Sequence, residues 1–440
     1  MSTPSASRRP VLDADGRSRR RLVLAAATGA AAGVLGIAPQ AARAQSRPEV
    51  SGIKLGFIAL TDAAPLFVAV ERGLFARHGM PDVEVVKQSS WGTTRDNLVL
   101  GGRGNGIDGA HILTPMPYLI ASGAATANNV QVPMSILARL NLGGQGISVS
   151  NEYADLRVGT DAGGLRRALA AKAGRGQTVK MAMTFPAGTH DLWIRYWLAA
   201  AGIDPNRDLN LITVPPPQMV ANMRVGTMDA FCVGDPWNAH LINQRIGYSA
   251  LWTSELWANH PEKALAVRSD WVQAHPQATQ ALLRAVMEAQ MWCEDRANRD
   301  EVAQICARRR WIGIGVEDIA QRLRGDIDYG HGRVVRDSPH QMRFWSERAS
   351  YPFQSHDLWF LTECIRWGYL PPGFDAAGWV RRVNREDLWR QAARTLGVAA
   401  ADIPAGPSRG VERFFDGRVF DPANPRAYLD SQPIKALRAA

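Results

Sequence analysis

The sequence predicts an α/β fold of two lobes. Short β-branched runs alternate with helical patterns from Gly52 onward, the alternation breaks once near residue 140, and it then resumes in a second unit. A length of 440 residues with 46% hydrophobic and 21% charged residues suits two or three globular units, and it excludes collagen-like, disulfide-scaffold and disordered chains.

Residues 1–44 read as an address. Ser18-Arg19-Arg20-Arg21-Leu22-Val23 precedes an uncharged Ala/Gly/Leu/Val stretch at 24–38, followed by Pro39 and Ala42-Arg43-Ala44. A positive region, a moderately apolar stretch and an A-x-A site form an export signal cut before Gln45, and the paired arginines mark the twin-arginine variety. The apolar stretch is short of the ~20 residues a membrane span needs. The expected location of the mature chain is the periplasm.

In the first unit the pattern predicts strands at 53–60, 83–87 and 107–112, with helices at 65–75, 96–100 and 117–121. After the break come strands at 133–140 and 146–150, a basic Ala-rich helix at 165–173, and then strand–helix pairs at 179–184 with 190–201, 209–214 with 218–225, and 229–233 with 236–243. Beyond about Asp270 the pattern turns helical, at 277–296, 301–310, 316–323 and 385–396. No internal repeat of 20–50 residues is present.

The formal charge is +10, but residues 1–44 hold seven arginines and two aspartates, half of the excess. No basic run with interleaved aromatics follows, so nucleic acid is not an expected partner. Cys232, Cys293, Cys306 and Cys364 show neither C-x-x-C nor Cys/His knuckle spacing, which argues against a structural zinc site and for free thiols. G-x-S-x-G, H-E-x-x-H and G-x-x-x-x-G-K-[ST] are absent, and Gly102-Arg-Gly104-Asn-Gly106 precedes its strand, the reverse of a dinucleotide-binding turn. The expectation is a binding protein with no enzyme activity, no cofactor and no metal.

Three strand-to-helix junctions carry the binding chemistry. Phe185-Pro-Ala-Gly-Thr189-His190 opens a helix directly after a strand with Thr189 as its cap, so free N–H groups and a partial positive charge point to where an anion sits. His190 adds a donor there, or simply packs. Ser90-Trp91-Gly92-Thr93-Thr94 repeats the arrangement with the threonines as caps, an indole that can only donate and a glycine that bares the backbone; a purely structural aromatic is the alternative. Pro215-Pro216-Pro217 presets a third entry. Gln145, in Gly143-Gly144-Gln145-Gly146, is either a ligand amide at a crossover between lobes or a solvated turn residue. Lys263, in His260-Pro-Glu-Lys263-Ala264, is the one full positive charge on offer, although alone it reads as a surface lysine.

Leu55-Gly-Phe-Ile-Ala-Leu-Thr-Asp62, Ser90-Trp91-Gly-Thr-Thr-Arg-Asp-Asn-Leu98, Asp108-Gly-Ala-His-Ile-Leu-Thr-Pro-Met-Pro-Tyr118, Gly188-Thr-His-Asp-Leu-Trp193, Pro215-Pro-Pro-Gln-Met-Val220, Met228-Asp-Ala-Phe-Cys-Val-Gly-Asp-Pro-Trp-Asn238 and the tail Phe420-Asp-Pro-Ala-Asn-Pro-Arg-Ala-Tyr-Leu-Asp430 together resemble the nitrate/bicarbonate family of solute-binding proteins for ABC transporters. The resemblance implies a periplasmic type II fold with the ligand in the inter-lobe cleft, lobe I built from 50–140 and 270–440 and lobe II from 141–269. It implies a planar oxyanion held by Trp91, Gly92, Gln145, His190, Pro216 and Lys263, and an ABC membrane permease as partner. Nitrate members carry Lys at position 263, whereas bicarbonate members place a carboxylate there beside a calcium ion. The implied ligand is therefore nitrate, with nitrite sharing the site. Bicarbonate, a small organic anion, or a nitrate-sensing regulatory role on the same fold stand as alternatives.

Overall fold

The computed structural model describes residues 47–436, so the expected export signal and its cleavage point near Ala44 lie outside the described residues. Ten strands organise the chain: β1 (Lys54–Phe57), β2 (Glu84–Lys87), β3 (Gly109–Leu113), β4 (Met134–Arg139), β5 (Gln145–Ser150), β6 (Lys180–Met183), β7 (Asn210–Thr213), β8 (Ala230–Gly234), β9 (Gly247–Trp252) and β10 (Lys263–Arg268). They form two five-stranded sheets, β2-β1-β3-β10-β4 and β7-β6-β8-β5-β9.

The two sheets follow one diagram. Three strands run parallel, a fourth enters antiparallel beside the third, and the fifth pairs antiparallel with the fourth. In each sheet the antiparallel strand is the first one formed after the chain crosses over from the other: β5 follows β4, and β10 follows β9. The parallel strands are connected through helices, as the crossover between parallel neighbours requires. The two-lobed α/β architecture expected from the sequence is present.

A lobe boundary at 269 assigns β10 to the second lobe, but its hydrogen bonds to β3 and β4 place it in the first sheet. Without it, β3 and β4 would each turn an unpaired backbone edge into the interior. β9 and β10 arise where no strand is predicted, and so does the helix Gln354–Arg366.

The helical C-terminal third braces both sheets. Arg139, at the end of β4, is buried in an ion pair with Asp357 of the helix Gln354–Arg366. The same carboxylate accepts bonds from Tyr118 Oη and Asn384 Nδ2, each at 2.7 Å. On the second sheet's side, Trp359 stacks on Trp193 with ring centroids 5.0 Å apart, and Tyr369 Oη donates to Asp191 at 2.6 Å. All four cysteines are buried and free. No helix among the described residues is long and apolar enough to cross a membrane.

Candidate functional site

Side chains from both sheets meet in one buried cluster at the ends of β3 and β6, the region where open α/β sheets usually hold a ligand. The helix Trp91–Leu100 opens there after β2, and the helix Thr189–Ala200 opens there after β6. Ser90 caps the first: its Oγ accepts from Thr93 N at 3.1 Å, leaving the amides of Trp91 and Gly92 ahead of the first intrahelical bond. This is a correction, since the sequence assigns that cap to the threonines. The second helix corrects the sequence too. Its cap is Gly188, and Thr189 instead sends its hydroxyl to Glu262 Oε1 at 3.2 Å. Gly188 lies at a close approach between the lobes: a Cβ there would sit 2.6 Å from Leu113 Cδ1 of β3, and that side chain would have to shift.

Gln145 and Lys263 reach the same place from the crossovers. Gly143 and Gly144 take φ values of 61° and 88°, a left-handed turn that sets Gln145 as the first residue of β5. The side chain of Gln145 is fully buried, so the solvated-turn alternative fails. Lys263 opens β10 and is also fully buried, which overturns the surface-lysine alternative.

The ammonium of Lys263 lies between two carboxylates. It donates to Asp62 Oδ2 at 2.8 Å and to Glu262 Oε1. Glu262 Oε2 in turn accepts from Gln145 Nε2. Asp62 Oδ1 faces His111 Nε2 at 2.6 Å. His190 Nε2 approaches Glu262 Oε1 to 3.3 Å without hydrogen-bond alignment, and its Nδ1 pairs with Thr184 Oγ1 at 2.6 Å. Trp91 closes the group: Lys263 Nζ lies 5.7 Å from its ring centroid, and its buried Nε1 has no partner within the protein.

Burial opposes charge throughout this cluster, and the ion pairs win for three of its members. Burial pushes the Asp62 carboxyl up, but Lys263 and His111 outweigh it and hold it at about 2. Glu262 is likewise held below the usual carboxylate range, by Lys263 and His190 against the effect of burial. Burial pulls Lys263 down while Asp62 and Glu262 raise it further, so it stays charged. For His111 and His190 burial wins, and both imidazoles sit below their ordinary value.

Of the sequence-predicted residues, the structure brings together Trp91, Gln145, His190 and Lys263, with Gly92 in the same helical turn as Trp91. Pro216 is buried at the start of a short 3-10 turn after β7, at the same end of the second sheet, and has no side-chain group to bond to the cluster. Sequence reasoning missed Asp62, Glu262 and His111 as functional groups. Asp62 and His111 stand inside stretches quoted for the family resemblance, but nothing local marks Asp62 as the partner of a lysine 201 residues away. Among the described residues no group of three or more His, Cys, Asp or Glu is arranged to hold a metal ion.

Residues 46–307 match the model of the NMT1-like family. The chain is 59% identical over 402 residues to the nitrate/nitrite binding protein NrtA of Synechococcus elongatus, covering 91% of this chain and 90% of that one. It is 46% identical over 396 residues to the bicarbonate-binding protein CmpA of the same organism, covering 88% of each. The crystal structure of the periplasmic nitrate-binding protein NrtA from Synechocystis superposes with a TM-score of 0.86 at 57% identity, over 88% of this chain and all of that one. The chain belongs to the NMT1-like family and, within it, stands with the solute-binding proteins of ABC importers.

Proposed function

We propose that this protein captures nitrate, and accepts nitrite, in the periplasm and delivers it to the membrane permease of an ABC importer. The observation that carries the reading is Lys263: a buried ammonium at the meeting of two helix N-termini, with the indole of Trp91 beside it and its donor uncommitted. An ammonium has three N–H groups and two are taken by Asp62 and Glu262, which leaves one for a ligand. Trp91 Nε1, the second amide proton of Gln145, the imidazole of His190 and the bare amide of Gly92 supply further donors, and Pro216 forms part of the rim.

A flat, singly charged anion of four heavy atoms suits such a set. At a ceiling of about −1.5 kcal/mol per atom such a ligand gains about −6 kcal/mol, so its affinity depends on charge-assisted bonds from donors already in place. The 59% identity to a nitrate/nitrite-binding protein supports the same ligand class. The role is binding rather than catalysis and takes no cofactor or metal. The twin-arginine signal, removed near Ala44, supports the location.

Calorimetric titration with nitrate, nitrite and bicarbonate, each with and without calcium, tests the reading. Nitrate binding at one site without calcium is the expected result. Calcium-dependent bicarbonate binding with no nitrate signal overturns it.

A further inference from the structure

The buried cluster holds one cation and two anions. Lys263, Asp62 and Glu262 are each fully buried and directly paired, so with neutral imidazoles their formal charges sum to −1. Bringing in an anion without compensation would place a second uncompensated negative charge beside the first in an interior that water does not screen. Accepting the nitrate reading above, we infer that the anion is taken up together with one proton, held between His190 and Glu262.

The geometry selects that pair. His190 Nε2 is a buried ring nitrogen with no aligned partner, 3.3 Å from a carboxylate oxygen, so a proton there gains an ionic acceptor at once. Thr184 Oγ1 holds the other ring nitrogen and fixes the ring. The remaining groups that face the cluster are poorer holders. His260, just before Glu262, has Nε2 on Thr253 Oγ1 at 2.8 Å and Nδ1 on Pro261 O at 3.0 Å, with Arg409 repelling any charge on it. His111 faces Asp62 through Nε2, and its Nδ1 has no partner, so a proton added there would be buried without an acceptor. Burial and the neighbouring Asp62 raise the Asp235 carboxyl, at the end of β8, to about 7, but the Arg322 guanidinium 3.7 Å away opposes a proton there, and Asp235 makes no direct bond to Lys263, Asp62 or Glu262. Cys232 on β8 is a buried thiol held protonated. Burial keeps the free His190 imidazole neutral near pH 7, and an anion against Lys263 favours its charged form.

Proton balance is simple: one H⁺ leaves solvent and completes the imidazolium of His190, whose Nε2 faces Glu262 Oε1 and whose Nδ1 faces Thr184 Oγ1, as the anion docks. By linkage, nitrate affinity falls by up to about tenfold for each pH unit above the free-state titration. The test is calorimetry of nitrate binding to the mature protein near pH 8 in two buffers of different ionisation heat. Uptake of close to one proton per nitrate is expected. Nitrate binding with buffer-independent heat overturns the inference and leaves the proposed function standing, whereas the absence of nitrate heat in both buffers overturns both. Nitrogen-15 NMR of the histidine rings then locates the proton without a variant. A nitrate-induced shift of the His190 ring to imidazolium is expected, and a shift confined to His111 or His260 overturns the assignment.

Discussion

Gln145 and Lys263 hold the same register in the two sheets, and Glu262 joins them. Gln145 opens β5 opposite Gly234, the last residue of β8, and Lys263 opens β10 opposite Leu113, the last residue of β3. Each is therefore the first strand residue after a crossover, and Glu262 takes a hydrogen bond from the first and an ion pair from the second. Residues placed at the crossovers lie where the lobes share chain, so small relative movements of the sheets keep them together.

Lys263→Glu removes the counter-ion of two buried carboxylates and adds a third. Nitrate binding is expected to vanish, and the folded state to lose about 3–5 kcal/mol, the usual result of stranding a buried charge. Denaturant melts and a nitrate titration check both. A variant that keeps wild-type stability contradicts the buried pairing seen here.

Trp91→Phe removes an indole N–H that has no partner in the protein. The loss therefore appears in binding, at about 1–2 kcal/mol, on top of a modest packing loss from the smaller ring. Unchanged nitrate affinity in this variant takes Trp91 out of the binding set.

Arg139→Met tests the scaffold apart from the site. Asp357 would keep its bonds from Tyr118 and Asn384 but lose its cation in a fully buried place, and about 3–5 kcal/mol of stability is expected to go. Chemical denaturation reads this directly; a loss below about 1 kcal/mol would mean the pair is not isolated from solvent.

Buried histidines limit stability in acid, His260 and His356 among them. Burial holds His260 at about 4 and His356 at about 3, both below the ordinary value of 6.5. The unfolded chain takes up these protons as pH falls through about 6.5 while the folded chain does not, so stability declines from there until the folded groups titrate. The shift at His260 alone corresponds to about 3 kcal/mol at about 1.4 kcal/mol per unit. Asp62 adds a later loss between about pH 4 and pH 2, because its folded carboxyl is depressed. Equilibrium melts from pH 8 to pH 4 are expected to show a plateau followed by a steady fall below about 6.5. A flat profile contradicts the burial of these rings.

Much of this was legible in the sequence, for local reasons. The Pro/Gly loop before Thr189 marks the second helix to within a residue of its start, whereas Ser90 is passed over for the threonines and the first helix, expected over 96–100, begins at Trp91. Gln145 was ambiguous because glycine on both sides describes a solvated turn as well as a buried crossover. Lys263 was harder. A lysine between Glu262 and Ala264 looks exposed unless the strand it opens is known to be interior, and β10 owes its place to β3 and β4, far back in the chain. Asp62 and His111 leave no signal of their own, because their partners lie on other strands; Glu262 adjoins Lys263 in sequence, but its bonds from Gln145 and Thr189 come only with folding.

A crystal structure of the protein grown with nitrate tests the central claim most directly. The account predicts a planar anion within hydrogen-bond distance of Lys263 Nζ, Trp91 Nε1 and the imidazole of His190, with both helix N-termini aimed at it. A divalent cation gripped by Asp62 and Glu262, or an anion bound elsewhere with Lys263 still closed on its two carboxylates, would contradict it.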